Sequence, residues 1–156
     1  MRGIIAADTR IWKAADALRV PETQFVANDG LMITYQVAGD GPSALVLVPG
    51  FISHVELNWE YPFYSSLLER LSQLTRLVVL DKRGTGLSDR SLGLGTLEER
   101  MSDVRAVMDN IGIEHAVLMG TSEDGAMCAF TATTSPSLAW RASSGIAAHT
   151  RSRSRS

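Results

Sequence analysis

The sequence predicts an α/β fold with a mostly parallel sheet, entered through an antiparallel hairpin. Three observations carry that prediction. Ala44–Val48, Arg76–Leu80 and Val117–Met119 are continuous apolar runs of strand length, the pattern of strands covered on both faces in a parallel sheet. Stretches of helical period separate these runs. Upstream, Asn28-Asp29-Gly30 interrupts the alternating stretch 23–38 with the chemistry of a tight hairpin turn. Hairpin, then strand, helix, strand, helix, strand, is an α/β order.

The elements follow along the chain. Residues 1–20 carry Ile4, Ile5, Ile11, Trp12, Ala15, Leu18 and Val20 at loosely helical spacing, with Asp8 and Thr9 as a cap. They read as an N-terminal extension, either a short amphipathic helix or a disordered leader. In the hairpin, Phe25 stands before the turn and Met32, Thr34 and Gln36 after it. Gly39-Asp40-Gly41-Pro42 is a loop, and Pro49-Gly50 ends the first apolar strand. Residues 52–60 form a polar and aromatic loop. Tyr64 to Leu74 places Leu67, Leu68, Leu71 and Leu74 on one helical face, with Glu69, Arg70 and Gln73 largely opposite. After the second strand and a glycine-punctuated loop, Thr96 caps a helix whose first turn holds Glu98 and Glu99. That helix carries Leu97, Met101, Val104, Val107 and Met108, and ends at Asn110-Ile111-Gly112. After Ala132 the periodicity fails. The expected division is an extension over 1–20, a domain over 21–135 and a disordered Arg/Ser-rich tail over 136–156.

Composition narrows the function classes. The chain has 156 residues, 45% of them hydrophobic and 21% charged, the balance of a globular protein with room for a core. The net charge of -2 hides an asymmetry: all 17 acids lie at or before Asp124, whereas Arg141, Arg151, Arg153 and Arg155 sit near the end. An acidic body of this kind has no nucleic-acid footprint. Cys128 is the single cysteine, which excludes an internal disulfide and agrees with a reducing compartment. No apolar run approaches the ~20 residues that span a bilayer. Met1 to Asp8 is too weakly apolar and too soon acidic for a secretory signal. A cytoplasmic protein without membrane or nucleic-acid partners is expected. No Cys/His cluster suits zinc, and no Gly-Lys-Ser/Thr opens a helix to hold phosphate, so no cofactor is expected.

The stretch with the clearest chemistry is Ala116 to Ala126. It runs from an apolar strand through Gly120-Thr121-Ser122-Glu123 into a helix that begins with acidic and small residues. Strand, tight turn, helix is the setting in which a lone serine becomes a nucleophile, with the helix N-terminus facing a developing oxyanion. The plainer alternative is a serine that caps a helix. Cys128, six residues further on, reads as buried in the helix packing.

Three stretches in this order resemble the α/β-hydrolase family. Val48-Pro49-Gly50-Phe51 stands where that family builds half of its oxyanion hole. Asp81-Lys82-Arg83-Gly84-Thr85-Gly86-Leu87-Ser88-Asp89 is similar to its D-x-R-G-x-G-x-S-D loop. Gly120-Thr121-Ser122-Glu123 is similar to its nucleophile elbow. With Trp59-Glu60 and Pro62 included, the wording is closest to bacterial hydrolase domains fused to adenylate or guanylate cyclases, although nothing here resembles the cyclase part. The resemblance implies a serine hydrolase of esterase type acting on a small-molecule ester. Ser122 would be the nucleophile, and the backbone N–H groups of Phe51 and Glu123 would form the oxyanion hole. The loop from Asp81 to Asp89 reads as structural: Gly84 and Gly86 permit tight turns, and Arg83 and Asp89 tie the loop by charge-assisted hydrogen bonds.

Two departures count against activity. Asp124 stands where the family has glycine, and only Gly125 keeps the small-residue pattern. The family's chain order is serine, acid, histidine. His54 lies just past the oxyanion loop, where it can line a pocket but where no triad base is expected, and His115 leads into a strand. Only His149 follows Ser122, in the tail, and no Asp or Glu follows Asp124. The chain therefore reads as a hydrolase domain truncated after the elbow, with an exposed sheet edge open to self-association and little or no turnover. A ligand-binding or regulatory remnant and a non-functional gene product are the alternatives.

Overall fold

Asp29 and Gly30 join β1 (Gln24–Asn28) to β2 (Leu31–Ala38), both at positive φ, 50° and 79°. This is the two-residue turn that matches the right-handed twist of a hairpin. The structure is a computed structural model that describes residues 20–50, 53–90, 95–120 and 141–144. Beyond the hairpin come β3 (Ala44–Val48), α1 (Pro62–Leu74), β4 (Arg76–Leu80), α2 (Leu97–Asn110), β5 (Ala116–Gly120) and β6 (Arg141–Ser144). The sheet order is β1-β2-β4-β3-β5-β6. β1, β2 and β4 pair antiparallel, while β4, β3, β5 and β6 pair parallel.

That order places the helices on opposite faces. From β3 the chain steps one way to β4, then back past β3 to β5. Right-handed crossovers in opposite directions put their helices on opposite sides of the sheet. The core divides accordingly. Val46, Val48, Val78, Leu80 and Leu118 pack with Val104, Val107 and Met108 of α2. Leu45, Leu47, Leu77 and Val79 face the other way, onto Leu68 of α1 with Leu71 and Tyr64. Alternate residues of each strand serve alternate faces, as the pleat requires, so a run with no polar break is what both-sided burial demands.

β2 departs from the expected alternation, because Ile33, Thr34, Tyr35 and Gln36 are all buried. Gln36 is satisfied on every side: its Nε2 donates to Pro21 O and Thr23 Oγ1, and its Oε1 accepts from Trp59 Nε1 at 2.8 Å. α1 begins two residues before its expected start, with Pro62 in the first turn, where a missing N–H costs nothing.

β6 is the main addition. No element is legible in the sequence beyond 136, yet Arg141–Ser144 pairs in parallel with Val117–Gly120. The predicted open edge on β5 is therefore covered over these residues. The unpaired N–H and C=O groups along β5 give a main-chain reason for a strand there that needs no apolar pattern. The N-terminal extension up to residue 19 and the rest of the tail lie outside the described residues.

α2 starts with a complete capping box. Thr96 Oγ1 accepts from Glu99 N at 3.2 Å, and Glu99 Oε2 accepts from Thr96 N at 2.6 Å. The bond from the Thr96 N–H, ahead of the nearby Arg83 charge, holds the Glu99 carboxyl below the usual carboxylate range. A depressed carboxylate stabilises above its unfolded-state pKa, and that contribution is lost as pH falls through the folded-state value. Thr96→Ala should cost about 1 kcal/mol at neutral pH. Because the variant keeps the main-chain N–H from which Glu99 accepts and loses only the bond to Thr96 Oγ1, urea midpoints should show that deficit changing little with pH.

Candidate active site

Because β3, β4 and β5 are parallel, their carboxyl ends share one edge of the sheet. β3 sends its chain to one face and β4 to the other, which is where open α/β sheets leave a ligand crevice. At that edge Val48 is the register partner of Gly120. The two residues that lead into the expected oxyanion loop and the expected elbow are thus side by side. Pro49 is buried and Gly50 half-buried. Ser122, Phe51 and Glu123, together with Asp124, Cys128 and His149, lie outside the described residues.

What the structure does show is how the loop after β3 is held. Asp81, directly after β4, is fully buried. Its Oδ2 accepts from Val55 N at 3.2 Å and from Leu87 N at 3.0 Å. Beside it, Ser53 Oγ and Thr85 Oγ1 are 3.0 Å apart, and Thr85 Oγ1 donates to Lys82 O at 2.8 Å. Gly86, at φ 52°, closes the turn over this carboxyl, and a Cβ there would overlap Asp81. Ser88 fastens the loop to the sheet: its Oγ donates to Asp81 O at 2.7 Å and accepts from Thr34 N at 2.8 Å. Asp89 Oδ2 accepts from Met32 N at 2.8 Å.

Arg83 anchors the same loop to α2 and the hairpin. Its Nε and Nη2 form a bidentate pair with Asp103 at 2.8 and 2.7 Å, with both side chains buried. Glu99 Oε1 lies 3.3 Å from Nη1, and Asp29 Oδ2 lies 3.6 Å from Nη2. The hydrogen bonds to Asp103 hold the guanidinium above its already high pKa, against the opposing effect of burial. The expected ties are present, but they run to Asp103 and to the β2 backbone.

The histidines are placed differently. His54 is half-buried; its carbonyl accepts from Asn58 N at 3.0 Å and its Nδ1 faces Leu57 N at 3.4 Å, so it shapes the short 3-10 turn Leu57–Trp59. His115 is exposed at the amino end of β5, the end of the sheet away from the candidate site. Among the described residues, no group of three or more His, Cys, Asp or Glu could hold a metal ion, and no helix is long and apolar enough to cross a membrane. Sequence reasoning left unassigned the Trp59–Gln36 bond and the Ser53–Thr85 contact; the one available signal was an unusual glutamine within a strand.

No protein-family model matches the sequence. Over 137 residues, covering 85% of this chain and 35% of the relative, it is 32% identical to the dihydrolipoyllysine-residue acetyltransferase component of the acetoin cleaving system of Pseudomonas putida. A second such component, from Cupriavidus necator, is 31% identical over 113 residues. The chain spans about a third of the length of these curated relatives. Among solved structures, Est816, an N-acyl homoserine lactone degrading enzyme, is 27% identical with a TM-score of 0.61, over 74% of this chain and 42% of that one. The enol-lactonase from Burkholderia xenovorans LB400 is 24% identical with a TM-score of 0.64, over 73% and 43%. These neighbours are α/β-hydrolase-fold enzymes, and with its mostly parallel sheet and leading antiparallel hairpin the described part of this chain has the α/β-hydrolase fold.

Proposed function

We propose that this chain carries the nucleophile and oxyanion portion of a serine hydrolase site for small carboxylic esters, lactones included. The observation that carries the reading is the pairing of Val48 with Gly120. Strands so paired lie about 4.8 Å apart. Two residues past Gly120 reach at most ~7 Å, and three past Val48 about 10 Å. Ser122 and the N–H of Phe51 therefore set out from one point of the sheet edge. In the proposed reaction Ser122 attacks the ester carbonyl while the N–H groups of Phe51 and Glu123 receive the oxyanion. The Est816 likeness, that of an N-acyl homoserine lactone degrading enzyme, favours this chemistry.

Neither histidine among the described residues stands where the base would act: His54 is engaged in its turn and His115 is at the far end of β5. The chain alone should therefore act as a site with its base removed, a state that retains a residual acceleration of roughly 10³-fold from oxyanion hole and binding. Slow labelling of Ser122 by a fluorophosphonate is expected, located by peptide mass spectrometry and absent in Ser122→Ala. Turnover of p-nitrophenyl acetate should match that of the variant. Fast Ser122-dependent turnover would show that a base is supplied after all. Saturable ester binding with no labelling would favour the ligand-binding remnant.

A further inference from the structure

We infer that Asp81 is the positioning residue of the oxyanion loop, holding the segment after β3 at the height the site needs. The inference rests on the serine hydrolase reading above for its catalytic meaning, but its geometric basis stands apart. Asp81 is wholly buried, and the proposed chemistry makes no direct use of its carboxylate. One oxygen, Oδ2, collects two backbone N–H groups from two different loops: Val55, after β3, and Leu87, after β4. The other, Oδ1, is buried with no hydrogen-bond partner among the described residues. A smaller or apolar side chain would shed the cost of that unmet acceptor but leave the Val55 and Leu87 N–H groups without theirs, so the position trades one orphaned oxygen for two held loops.

The surroundings are arranged to keep the carboxyl where it is. Ser88 Oγ binds the Asp81 carbonyl, and the Asp81 N–H is spent on Thr34 O at 2.9 Å, so its main chain is locked to β2. Gly86 leaves room for the carboxyl only because it has no Cβ. Among the described residues, the contact of the Asp81 side chain that crosses to another parallel strand's loop is the bond to Val55 N, four residues after Phe51. The Ser53–Thr85 contact crosses at the same place. Asp81 thus fixes the backbone at Val55, while the pairing of Val48 with Gly120 fixes the chain ahead of it; on the hydrolase reading, a donor that lies in sequence between these two points gains pre-organisation for a developing charge.

The test uses the full 156-residue chain, with two readouts on each variant. One is the fluorophosphonate labelling rate at Ser122, in which the Oγ–P bond forms, fluoride leaves and the hydroxyl proton goes to solvent. The other is hydrogen exchange at the Val55 amide. Asp81→Ala is expected to slow labelling by roughly tenfold to a hundredfold, the scale of a misplaced catalytic group, and to expose the Val55 amide to exchange. Asp81→Asn keeps an acceptor in the Oδ2 place and should retain most of both properties. If Asp81→Ala does not fold, Gly86→Ala carries the test, because its Cβ displaces the carboxyl while leaving it present; the same two losses are expected. Unchanged labelling and unchanged Val55 exchange in Asp81→Ala or Gly86→Ala would overturn the inference. So would an Asp81→Asn variant as impaired as Asp81→Ala. Should the parent itself resist labelling, the hydrolase reading fails and the Val55 exchange alone decides whether Asp81 positions the loop.

Discussion

Asp103→Ala is expected to destabilise the fold by about 3–5 kcal/mol, the cost of leaving a buried charge without its partner. The Asp103 and Arg83 side chains are 1% and 4% exposed. Without Asp103, the guanidinium keeps the Glu99 carbonyl at 3.2 Å and the longer contacts to the Glu99 and Asp29 carboxylates, whose side chains are 46% and 61% exposed. Asp103 also accepts from Asn28 Nδ2 at 2.8 Å, so its loss frees the hairpin as well. Thermal unfolding should show a fall on the order of 10 °C for a chain of this size. Replacing both members, Arg83→Met with Asp103→Leu, should cost far less, because a buried pair exchanged for apolar groups is often neutral. A single-variant cost under about 1 kcal/mol, the value of a surface pair, would show that solvent reaches this site. The consequence reaches the candidate active site: Arg83 stands two residues from Asp81, and a loosened loop releases the Val55 contact.

The parts legible in the sequence are those whose cause is local. Ala44–Val48, Arg76–Leu80 and the helix from Thr96 to Asn110 fall where the apolar runs and the cap put them, because both-face burial and a capping box are written in consecutive residues. β6 was not legible, since Arg-Ala-Ser-Ser has neither period nor apolar content and its partner is the main chain of β5. The loop Asp81–Asp89 was legible as a motif and as glue, but not in its partners. Val55, Asp103 and Met32 come from three other elements, and nothing in the order of residues announces them. Gln36 was legible as a member of an alternating strand but not in its partners, because Trp59 and the segment at Pro21–Thr23 that engage it lie elsewhere in the chain. The nucleophile and its oxyanion donors remain a reading of motif and resemblance, to which the structure adds the adjacency of the strand ends that lead to them.

Gly39→Ala is expected to be far more damaging than Gly30→Ala, although both residues have nearly the same positive φ, 76° and 79°. The conformational penalty of roughly 1–2 kcal/mol for an L side chain in this region is common to both. Space differs. Nothing lies within 4 Å of a Cβ at Gly30, whereas a Cβ at Gly39 would overlap the carbonyl oxygens of Ser72 and Thr75. Backbone at a helix end cannot turn aside as a side chain can, so overpacking adds about 1–3 kcal/mol. Gly41 repeats the constraint, since a Cβ there would lie 2.6 Å from Leu74 O and Thr75 Cα. Together the two glycines let the β2–β3 connection cross the end of α1 and deliver Ser43, whose carbonyl accepts from Arg76 N at 2.9 Å. That bond starts the register Ala44 with Arg76, which carries on through Leu47 with Val79 and sets the height at which Val48 meets Gly120. Urea unfolding should therefore give Gly39→Ala a loss of about 2–5 kcal/mol against 1–2 for Gly30→Ala. Equal losses would mean that the loop slides off α1 at little cost, and the register of β3 would then need another origin.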